Sequence, residues 1–281
     1  MTESIQSVNL AYGDLIENRA AYTTDYVRSI SVNQSSGDFI VSLPLLNDGT
    51  VRVYPQSPNN PSSSLIGEIK SITGFSGYGV LSLPVDARYD SNRNKIWIAD
   101  MGNKRVLKVN SGNYLVDFSI DDITLPYSVV PNINNGGVFI KSFISVSTGV
   151  IYYYSMSGTL ISSFTFDETF KGVSLTPSLT RSFLDDVPLP ATMVFDHTRS
   201  RLWFTAGRTI NMVDLNNSQV ITLTTNYTDS RGIDVDVVSG NAFATMKSFH
   251  SISNRWYIVQ IFRDNNEILS TAYVPDNVFV N

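Results

Sequence analysis

Pairs of aspartates occur at three places in the 281-residue sequence, at Asp121-Asp122, at Asp185-Asp186 and at Asp234 with Asp236. Glycoside hydrolysis needs two carboxyl groups about 5–10 Å apart, one acting as the acid and the other as the base or nucleophile. Aspartate also forms turns, and glutamate is nearly absent from the strand-like runs. The pairs therefore support two interpretations: a polysaccharide-cleaving site, or a set of surface acids and turn formers.

Few residues are suited to metal or cofactor chemistry. The two histidines, His197 and His250, cannot form a three-histidine zinc site, and the absence of cysteine removes thiolate metal sites, disulfides and cysteine nucleophiles. The Asp121-Asp122 segment lacks the regular 12-residue spacing of a calcium loop. Neither a phosphate-binding nor a dinucleotide-binding glycine pattern is present, and there is no Gly-x-Ser-x-Gly. We therefore predict no catalytic set, no metal and no cofactor.

The balance of charges restricts the partners. Charged residues make up 16% of the chain and the net charge is −5, with the basic residues scattered rather than clustered. A nucleic-acid binder needs a positive stripe, so we expect no nucleic acid. No apolar run approaches the roughly 18 residues that cross a membrane, and the N-terminus does not have the pattern of a signal peptide. We therefore expect no membrane insertion.

A unit of about 42 residues, made of four short β-rich runs, recurs along the chain. Leu-Pro opens three of the units, at Leu83-Pro84, Leu125-Pro126 and Leu189-Pro190, and residues 26–70 and 231–274 form two less regular units. The runs are rich in Val, Ile, Phe, Tyr and Thr and are bounded by Gly, Asn, Asp, Ser and Pro. Four strands in a unit of this length are typical of a propeller blade.

Several of the runs, such as IWIA at residues 96–99, are apolar at every position, which indicates a sheet covered on both faces. Sheets stacked in a ring cover each other in this way. We therefore predict an all-β fold, a β-propeller of four-stranded antiparallel blades, with five blades favoured and six as the alternative. Residues 1–25 are expected to form an N-terminal arm or a ring-closing strand, and residues 26–281 a single propeller domain.

The second unit, residues 84–118, resembles an NHL-type repeat. The residues that match the repeat pattern are Pro84, Asp90, Ile96, Ile98, Asp100, Gly102, Asn103, Arg105 and Val106. Residues 190–215 match it in part, and the other units share only the pattern of strands. The resemblance implies a propeller. NHL-like lyases use a histidine-bound metal, and the two histidines of this chain depart from that pattern.

The polar segment DMGNKR, residues 100–105, joins two apolar runs of this unit. Gly102 and Asn103 tolerate the left-handed backbone angles that a hairpin turn requires. Asp100 and Arg105 flank the turn and are expected to pair across it. We predict a structural turn, with direct ligand contact as the alternative.

In such a propeller, the loops between second and third strands share one face with the connections between blades. The longest connections, residues 71–83 and 168–188, fall on that face, and inserted loops on a rigid scaffold often carry function. Aromatic residues beside Asp, Asn and Arg suit a sugar or a protein surface. We predict a ligand-binding face there, the alternative being loops that only cover the ends of the channel. The residues expected on this face are Phe75, Tyr78, Asp100, Lys104, Arg181, Phe183, Asp185, Asp186, Arg208, Phe249 and His250.

These features favour a non-enzymatic recognition propeller that binds a protein or glycan surface. The Asn/Ser/Thr-rich, cysteine-free composition resembles that of virion fibre and tail proteins, which favours a virion or an extracellular surface over the cytoplasm and suggests assembly on a symmetric particle. One alternative is a propeller glycoside hydrolase or lyase acting on a polysaccharide, with Asp86, Asp234 and Asp236 directed towards the central axis. A second alternative is an intracellular protein-interaction scaffold.

Overall fold

The computed structural model describes residues 28–44, 49–55, 70–145, 148–167, 193–207, 209–224, 229–247, 256–261 and 268–273. These residues form 22 β-strands, with one 3₁₀ turn at Met101–Asn103. Within them, no helix has the length and apolarity needed to span a membrane. The expected N-terminal arm, residues 1–25, lies outside the described residues.

Twenty of the strands form five antiparallel sheets of four strands each. Sheet 1 contains β1 (Ser29–Val32), β2 (Phe39–Leu43), β3 (Thr50–Tyr54) and β4 (Lys70–Ile72). The two strands β5 (Gly74–Phe75) and β6 (Gly79–Val80) form a separate hairpin. Sheet 2 contains β7 (Pro84–Asp90), β8 (Lys95–Asp100), β9 (Arg105–Asn110) and β10 (Val116–Ile120).

The other three sheets repeat this order. Sheet 3 contains β11 (Pro126–Pro131), β12 (Val138–Ser145), β13 (Thr148–Tyr154) and β14 (Leu160–Asp167). Sheet 4 contains β15 (Met193–Asp196), β16 (Arg201–Ala206), β17 (Thr209–Asp214) and β18 (Gln219–Thr224). Sheet 5 contains β19 (Asp229–Val235), β20 (Ala242–Lys247), β21 (Trp256–Ile261) and β22 (Ile268–Tyr273). The first strand of each sheet contacts the first strand of the next, so the sheets stand side by side in a propeller ring. The predicted propeller of four-stranded antiparallel blades is confirmed.

The apolar runs of sheets 2, 3 and 4 are buried because each of these sheets packs between two others. In β8, Ile96 and Ile98 pack against sheet 1, whereas Trp97 and Ala99 point to the opposite face and pack against sheet 3. All four side chains are fully buried. A strand whose two faces are both covered needs apolar residues at every position, which is why the period-2 alternation of a half-exposed strand is missing.

Two Leu-Pro pairs turn the chain into the first strand of a sheet. Leu83 and Leu125 are buried and have φ angles of 51° and 47°, in the left-handed region. A bulky residue rarely adopts these angles, so the two residues are held there by burial of their side chains. The third pair, Leu189-Pro190, lies outside the described residues.

An Asp-x-x-Arg clasp links neighbouring sheets. Asp196 and Arg199 pair at 3.1 Å in the turn after β15, and the Arg199 guanidinium also donates to the main-chain oxygens of Val237 and Val238 in sheet 5, both at 3.0 Å. The Asp196 side chain is fully buried. Its pairing with Arg199 therefore orients the guanidinium towards the carbonyl oxygens of Val237 and Val238, which lie in the turn after β19.

The same clasp occurs between sheets 2 and 3. Arg93 pairs with the fully buried Asp90 at 3.4 Å and donates to the main-chain oxygens of Ile133 and Asn134. Burial raises the pKa of Asp90, and Arg93 acts in the opposite direction. The two clasps stand at equivalent positions of units two and four, as Trp97 and Trp203 do.

Replacing Arg199 by methionine is expected to lower the free energy of unfolding by about 2 kcal/mol, because the buried Asp196 carboxylate loses its cation. Urea denaturation followed by circular dichroism measures the change. The control is Lys95→Met, which removes a surface pair with Asp117, and about 0.5 kcal/mol or less is expected there. Equal losses in the two variants would contradict a role for the clasp in holding sheets together.

Candidate functional site

The ends of the sheets at which the chain passes from one sheet to the next form a face that we call the hairpin face. In the described residues its main element is the β5–β6 hairpin, residues 74–80, inserted between sheets 1 and 2. Phe75 and Tyr78 are half-buried and pack against the core between these sheets, while Val80 is 72% exposed. The hairpin therefore presents an apolar side chain to solvent on a packed base.

Asp100 fixes this hairpin to sheet 2. Its Oδ1 accepts a hydrogen bond from the Ser82 main-chain N–H at 2.7 Å. Its Oδ2 accepts from Asn103 Nδ2 at 2.8 Å and from Arg105 Nε at 2.7 Å. Asp100 is fully buried, and both of its oxygens are occupied by donors of the chain itself.

The partners of Asp100 reach the hairpin main chain. Arg105 donates to the carbonyl oxygens of Tyr78 and Val80, and Asn103 donates to that of Val80 at 2.9 Å. Hydrogen bonds with an ionised partner are about twice as strong as neutral ones. The buried carboxylate thus orients two donors that hold the second strand of the hairpin. The predicted Asp100–Arg105 pair is confirmed, and it supports the structural interpretation of the segment.

The predicted backbone of this turn was wrong in one respect. The residue in the left-handed region is Lys104, with φ 54° and ψ 42°, rather than Gly102 or Asn103. Gly102 is required for a different reason, since a Cβ there would lie 2.3 Å from Ser82 Oγ and 2.7 Å from Ser82 O. Gly102 N donates to that same carbonyl oxygen at 2.7 Å, so the two backbone segments lie too close together for a side chain at residue 102.

Burial sets the electrostatics of Asp100. It raises the pKa of the carboxyl group, while the hydrogen bonds from Asn103, Ser82 and Arg105 act in the opposite direction. The Asp100 carboxylate is fully buried and already accepts hydrogen bonds from three donors of the chain, so it is not available to a ligand at the surface. The geometry of Asp100 is that of a support for the hairpin.

The structure brings together four of the residues predicted for the binding face. Phe75 and Tyr78 lie in the hairpin, and Asp100 and Lys104 lie in or beside the turn that holds it. Lys104 is exposed, and its main-chain oxygen accepts from Ile123 N at 2.9 Å. The other predicted residues lie outside the described part of the chain, namely Arg181, Phe183, Asp185, Asp186, Arg208, Phe249 and His250.

Asp86, a candidate for sugar chemistry, is 2% exposed on the innermost strand of sheet 2. Its Oδ1 accepts from Arg88 Nε at 2.9 Å, and its Oδ2 accepts from Ser128 Oγ and the Val129 N–H of the neighbouring first strand. Because β11 is the innermost strand of sheet 3, the Val129 N–H on its inner edge has no strand partner within the sheet, and the Asp86 carboxylate accepts from it instead. Asp86 therefore joins two sheets at the centre of the ring.

The other candidate acids occupy turns and surface positions. Asp236 follows β19 in a turn at the end of the sheet opposite the hairpin face, where Ser239 Oγ and Val238 N donate to it and lower its pKa. Asp121 and Asp122 are exposed beside β10, with φ 61° at Asp122. Asp234 is exposed and accepts from Val235 N. Asp236 therefore acts as a turn former, and Asp121, Asp122 and Asp234 are surface acids.

His197 is half-buried in the turn after β15, and its carbonyl oxygen accepts from Asn134 Nδ2 of sheet 3 at 2.7 Å. Among the described residues, no group of three or more His, Asp or Glu side chains is placed to hold a metal ion.

Sequence reasoning missed a second surface. Most of the large apolar side chains exposed by the described residues lie at or near the other end of the sheets, where first strands turn into second strands and third into fourth. They are Val32, Leu115, Met156, Leu160, Ile161, Val220, Val237 and Val238. Hydrophobicity alone could not separate these residues from the buried Val and Leu of the same strands.

The stacked four-stranded sheets and their connecting loops place the chain in the β-propeller class. No protein-family model and no curated protein matches the sequence. The fold is similar to that of many solved structures, and three of them illustrate it. A structure of a nidogen/laminin complex has a TM-score of 0.60 and 12% identity, covering 90% of this chain and 81% of that one. The RRP9 WD40 repeats have a TM-score of 0.62 and 7% identity, covering 89% of this chain and 64% of theirs.

The third is hydrazine synthase of Kuenenia stuttgartiensis, with a TM-score of 0.54 and 9% identity over 68% of this chain and 49% of that one. The chain thus spans less than two thirds of the hydrazine synthase and RRP9 chains. Identities this low show the shared propeller fold and nothing finer.

Proposed function

We propose that this chain is a non-enzymatic recognition propeller that binds a protein surface through the hairpin face. The observation that carries the proposal is the β5–β6 hairpin. It is an added element, fixed to sheet 2 by the buried Asp100 and its partners, and it exposes Val80. An anchor residue held on a rigid base binds with little loss of conformational entropy.

The surroundings of Val80 suit a protein partner. Phe75 and Tyr78 of the same hairpin are half-buried against the core between sheets 1 and 2, and the exposed Lys104 belongs to the turn that holds the hairpin. Aromatic residues are enriched in protein-binding patches, whose apolar centre is surrounded by a polar rim. Asp86, a candidate for sugar chemistry, and Asp100, a residue predicted for the binding face, are both engaged in holding the fold, which favours binding over hydrolysis.

The setting of the proposal follows from composition. The Asn/Ser/Thr-rich, cysteine-free surface suits a module of a virion or another extracellular surface, repeated on a symmetric particle. The NHL-type pattern of residues 84–118 fits a repeat built for interaction, with its Asp-x-Gly-Asn segment serving the hairpin.

Substitution Val80→Asp is expected to weaken partner binding by about tenfold or more, because a charge replaces the exposed anchor. A photo-activatable cross-linker at Ser76, in the same hairpin, should capture a protein from an extract of the source cells. Val80→Asp should abolish that capture while leaving the circular dichroism spectrum and the urea midpoint unchanged. The matched control is Val220→Asp, an exposed valine on β18 at the rim.

Two further assays separate the rival functions. Release of reducing sugar from a polysaccharide panel would overturn the proposal in favour of a hydrolase. If the chain binds a glycan array, the Val80→Asp variant still binds it and no protein is cross-linked, the proposal of a protein partner is overturned. Equal loss of cross-linking in both valine variants would show that the hairpin is not the binding element.

A further inference from the structure

Two neighbouring tyrosines lie on the face of sheet 3 that is turned towards sheet 2. Tyr152 and Tyr154 of β13 are half-buried and pack against the core between these two sheets. The centres of their rings are 6.2 Å apart and the ring planes are inclined at 53°. Among the described residues, neither phenol hydroxyl has a hydrogen-bond partner. Tyr153, on the opposite face, differs, because its hydroxyl accepts from the side chains of Asn132 and Asn135.

Small hydroxyl side chains of β14 stand beside the two rings. Ser163 lies directly opposite Tyr152 in the ladder, and Thr165 follows two residues later on the same face of the sheet. Both side chains are exposed, as is Leu160, which lies opposite Tyr154. The surface that these residues form is called the tyrosine face below, and it consists of Tyr152, Tyr154, Leu160, Ser163 and Thr165.

The turn that joins β13 to β14, residues 155–159, packs against sheet 2 at one end of the tyrosine face. The main-chain oxygen of Met156 accepts from Lys108 Nζ of β9 at 2.9 Å. A Cβ at Gly158 would lie 2.9 Å from the ring of Phe118 in β10, so the turn rests directly on that ring. The two tyrosines therefore stand on a fixed base, and a ligand can bind them with little loss of conformational entropy.

The tyrosine face presents no charge. Residues 142–166 contain no charged side chain. The nearby Lys108 is only 4% exposed, and its ammonium group is held by Met156 O and by the rings of Trp97 and Phe118. A charged ligand would therefore lose hydration here without gaining an ion pair. The polar groups that the face does present are hydroxyls, and each of them can both donate and accept a hydrogen bond.

We propose that the tyrosine face binds a neutral sugar. A pyranose ring has an apolar C–H surface, which can stack on a tyrosine ring, and hydroxyl groups around its edge. Those hydroxyls can exchange hydrogen bonds with the two phenols and with Ser163 and Thr165. A protein partner suits this surface less well, because serine is depleted and arginine enriched in protein interfaces. The tyrosine face is separate from the hairpin face and does not depend on the function proposed for it.

A glycan array probed with the full chain tests the proposal, with neutral oligosaccharides printed beside sialylated and sulfated ones. Binding to at least one neutral glycan is expected, and the strongest of these is then titrated against the protein by isothermal calorimetry. Tyr152→Phe/Tyr154→Phe keeps both rings but removes both hydroxyls, and it should weaken binding by about tenfold. Ser163→Lys places a long charged side chain over the face and should weaken binding by at least as much.

Ser162→Lys is the matched control, because Ser162 is also exposed on β14 but lies opposite Tyr153, on the other face of sheet 3. This variant and Val80→Asp should leave the affinity for the sugar unchanged, and circular dichroism confirms that each variant is folded. An array that shows no neutral glycan bound, or only sialylated or sulfated ones, overturns the proposal. Equal effects of the two lysine substitutions also overturn it. Capture of a protein by a photo-activatable cross-linker at Ser163, with no glycan bound, overturns it in favour of a protein partner.

Discussion

Replacing Asp100 by alanine should lower the free energy of unfolding by about 3–5 kcal/mol, one of the two largest effects expected in this chain. The carboxylate is fully buried and accepts from Ser82 N, Asn103 Nδ2 and Arg105 Nε. Removing it leaves a guanidinium that is 12% exposed without its counter-charge, together with two donors that have lost their acceptor. Urea denaturation followed by circular dichroism measures the loss.

The β5–β6 hairpin should respond beyond this global change. Asn103 and Arg105 hold its main chain only while Asp100 orients them, so amide exchange at residues 74–80 should accelerate more than exchange in sheet 4. Asp100→Asn keeps the shape and one acceptor oxygen, and a smaller loss, about half, is expected. The surface control is Asp121→Ala, for which we expect a change within about 0.5 kcal/mol.

A double-mutant cycle tests the origin of the effect. If the ion pair is the principal loss, Asp100→Ala and Arg105→Ala should be strongly non-additive, with a coupling of about 1–3 kcal/mol. Additive losses would show that Asp100 acts through Ser82 and Asn103 alone. A loss below about 1 kcal/mol for Asp100→Ala would contradict its role as the support of the hairpin.

The second large effect is expected for Trp97→Ala, which should cost about 3–5 kcal/mol. Trp97 is fully buried between sheets 2 and 3 and packs edge-on against Phe118, with ring centres 5.8 Å apart. Lys108 Nζ lies 5.2 Å from the centre of the Trp97 ring. The indole N–H has no hydrogen-bond partner among the described residues. The predicted loss therefore comes from packing and from the cation–π contact, and no hydrogen bond is broken.

Trp97→Phe keeps an aromatic ring for both the packing and the cation–π contact, and it should recover at least half of the lost stability. Leu115→Ala, at a position that is 60% exposed, is the control and should change stability little. Circular dichroism is the readout, because the substitution removes a fluorophore. A small loss for Trp97→Ala would show that sheets 2 and 3 are not packed through this side chain.

Local patterns in the sequence predicted most of the fold. The length of the units, the turn residues and the apolar runs are set by the requirements of short strands covered on both faces, and those requirements appear in each strand separately. IWIA predicted two covered faces, and Ile96 and Trp97 indeed pack on different sheets. The Asp100–Arg105 pair was also predictable, because both residues flank one turn.

Contacts between distant segments could not be predicted in this way. Gly102 was expected to supply a left-handed turn, but the residue is needed because the Ser82 main chain approaches it from the preceding connection. Nor did the sequence indicate that Arg93 and Arg199 donate to main-chain carbonyls of the next sheet, because every residue has such a carbonyl. The pattern of side chains in a sequence does not indicate which distant backbone segment each of them will contact.

Exposure depends on the same long-range packing. Leu160 and Leu202 are alike in type and both lie in strands, yet Leu160 is 48% exposed at the rim while Leu202 is fully buried between sheets. The sequence by itself determined the strands and the positions of most of their turns, because these follow from interactions within a few residues, and the repeat of this pattern indicated a propeller. The hairpin support and the clasps follow only from the stacking of the sheets, because each depends on groups brought together by the ring.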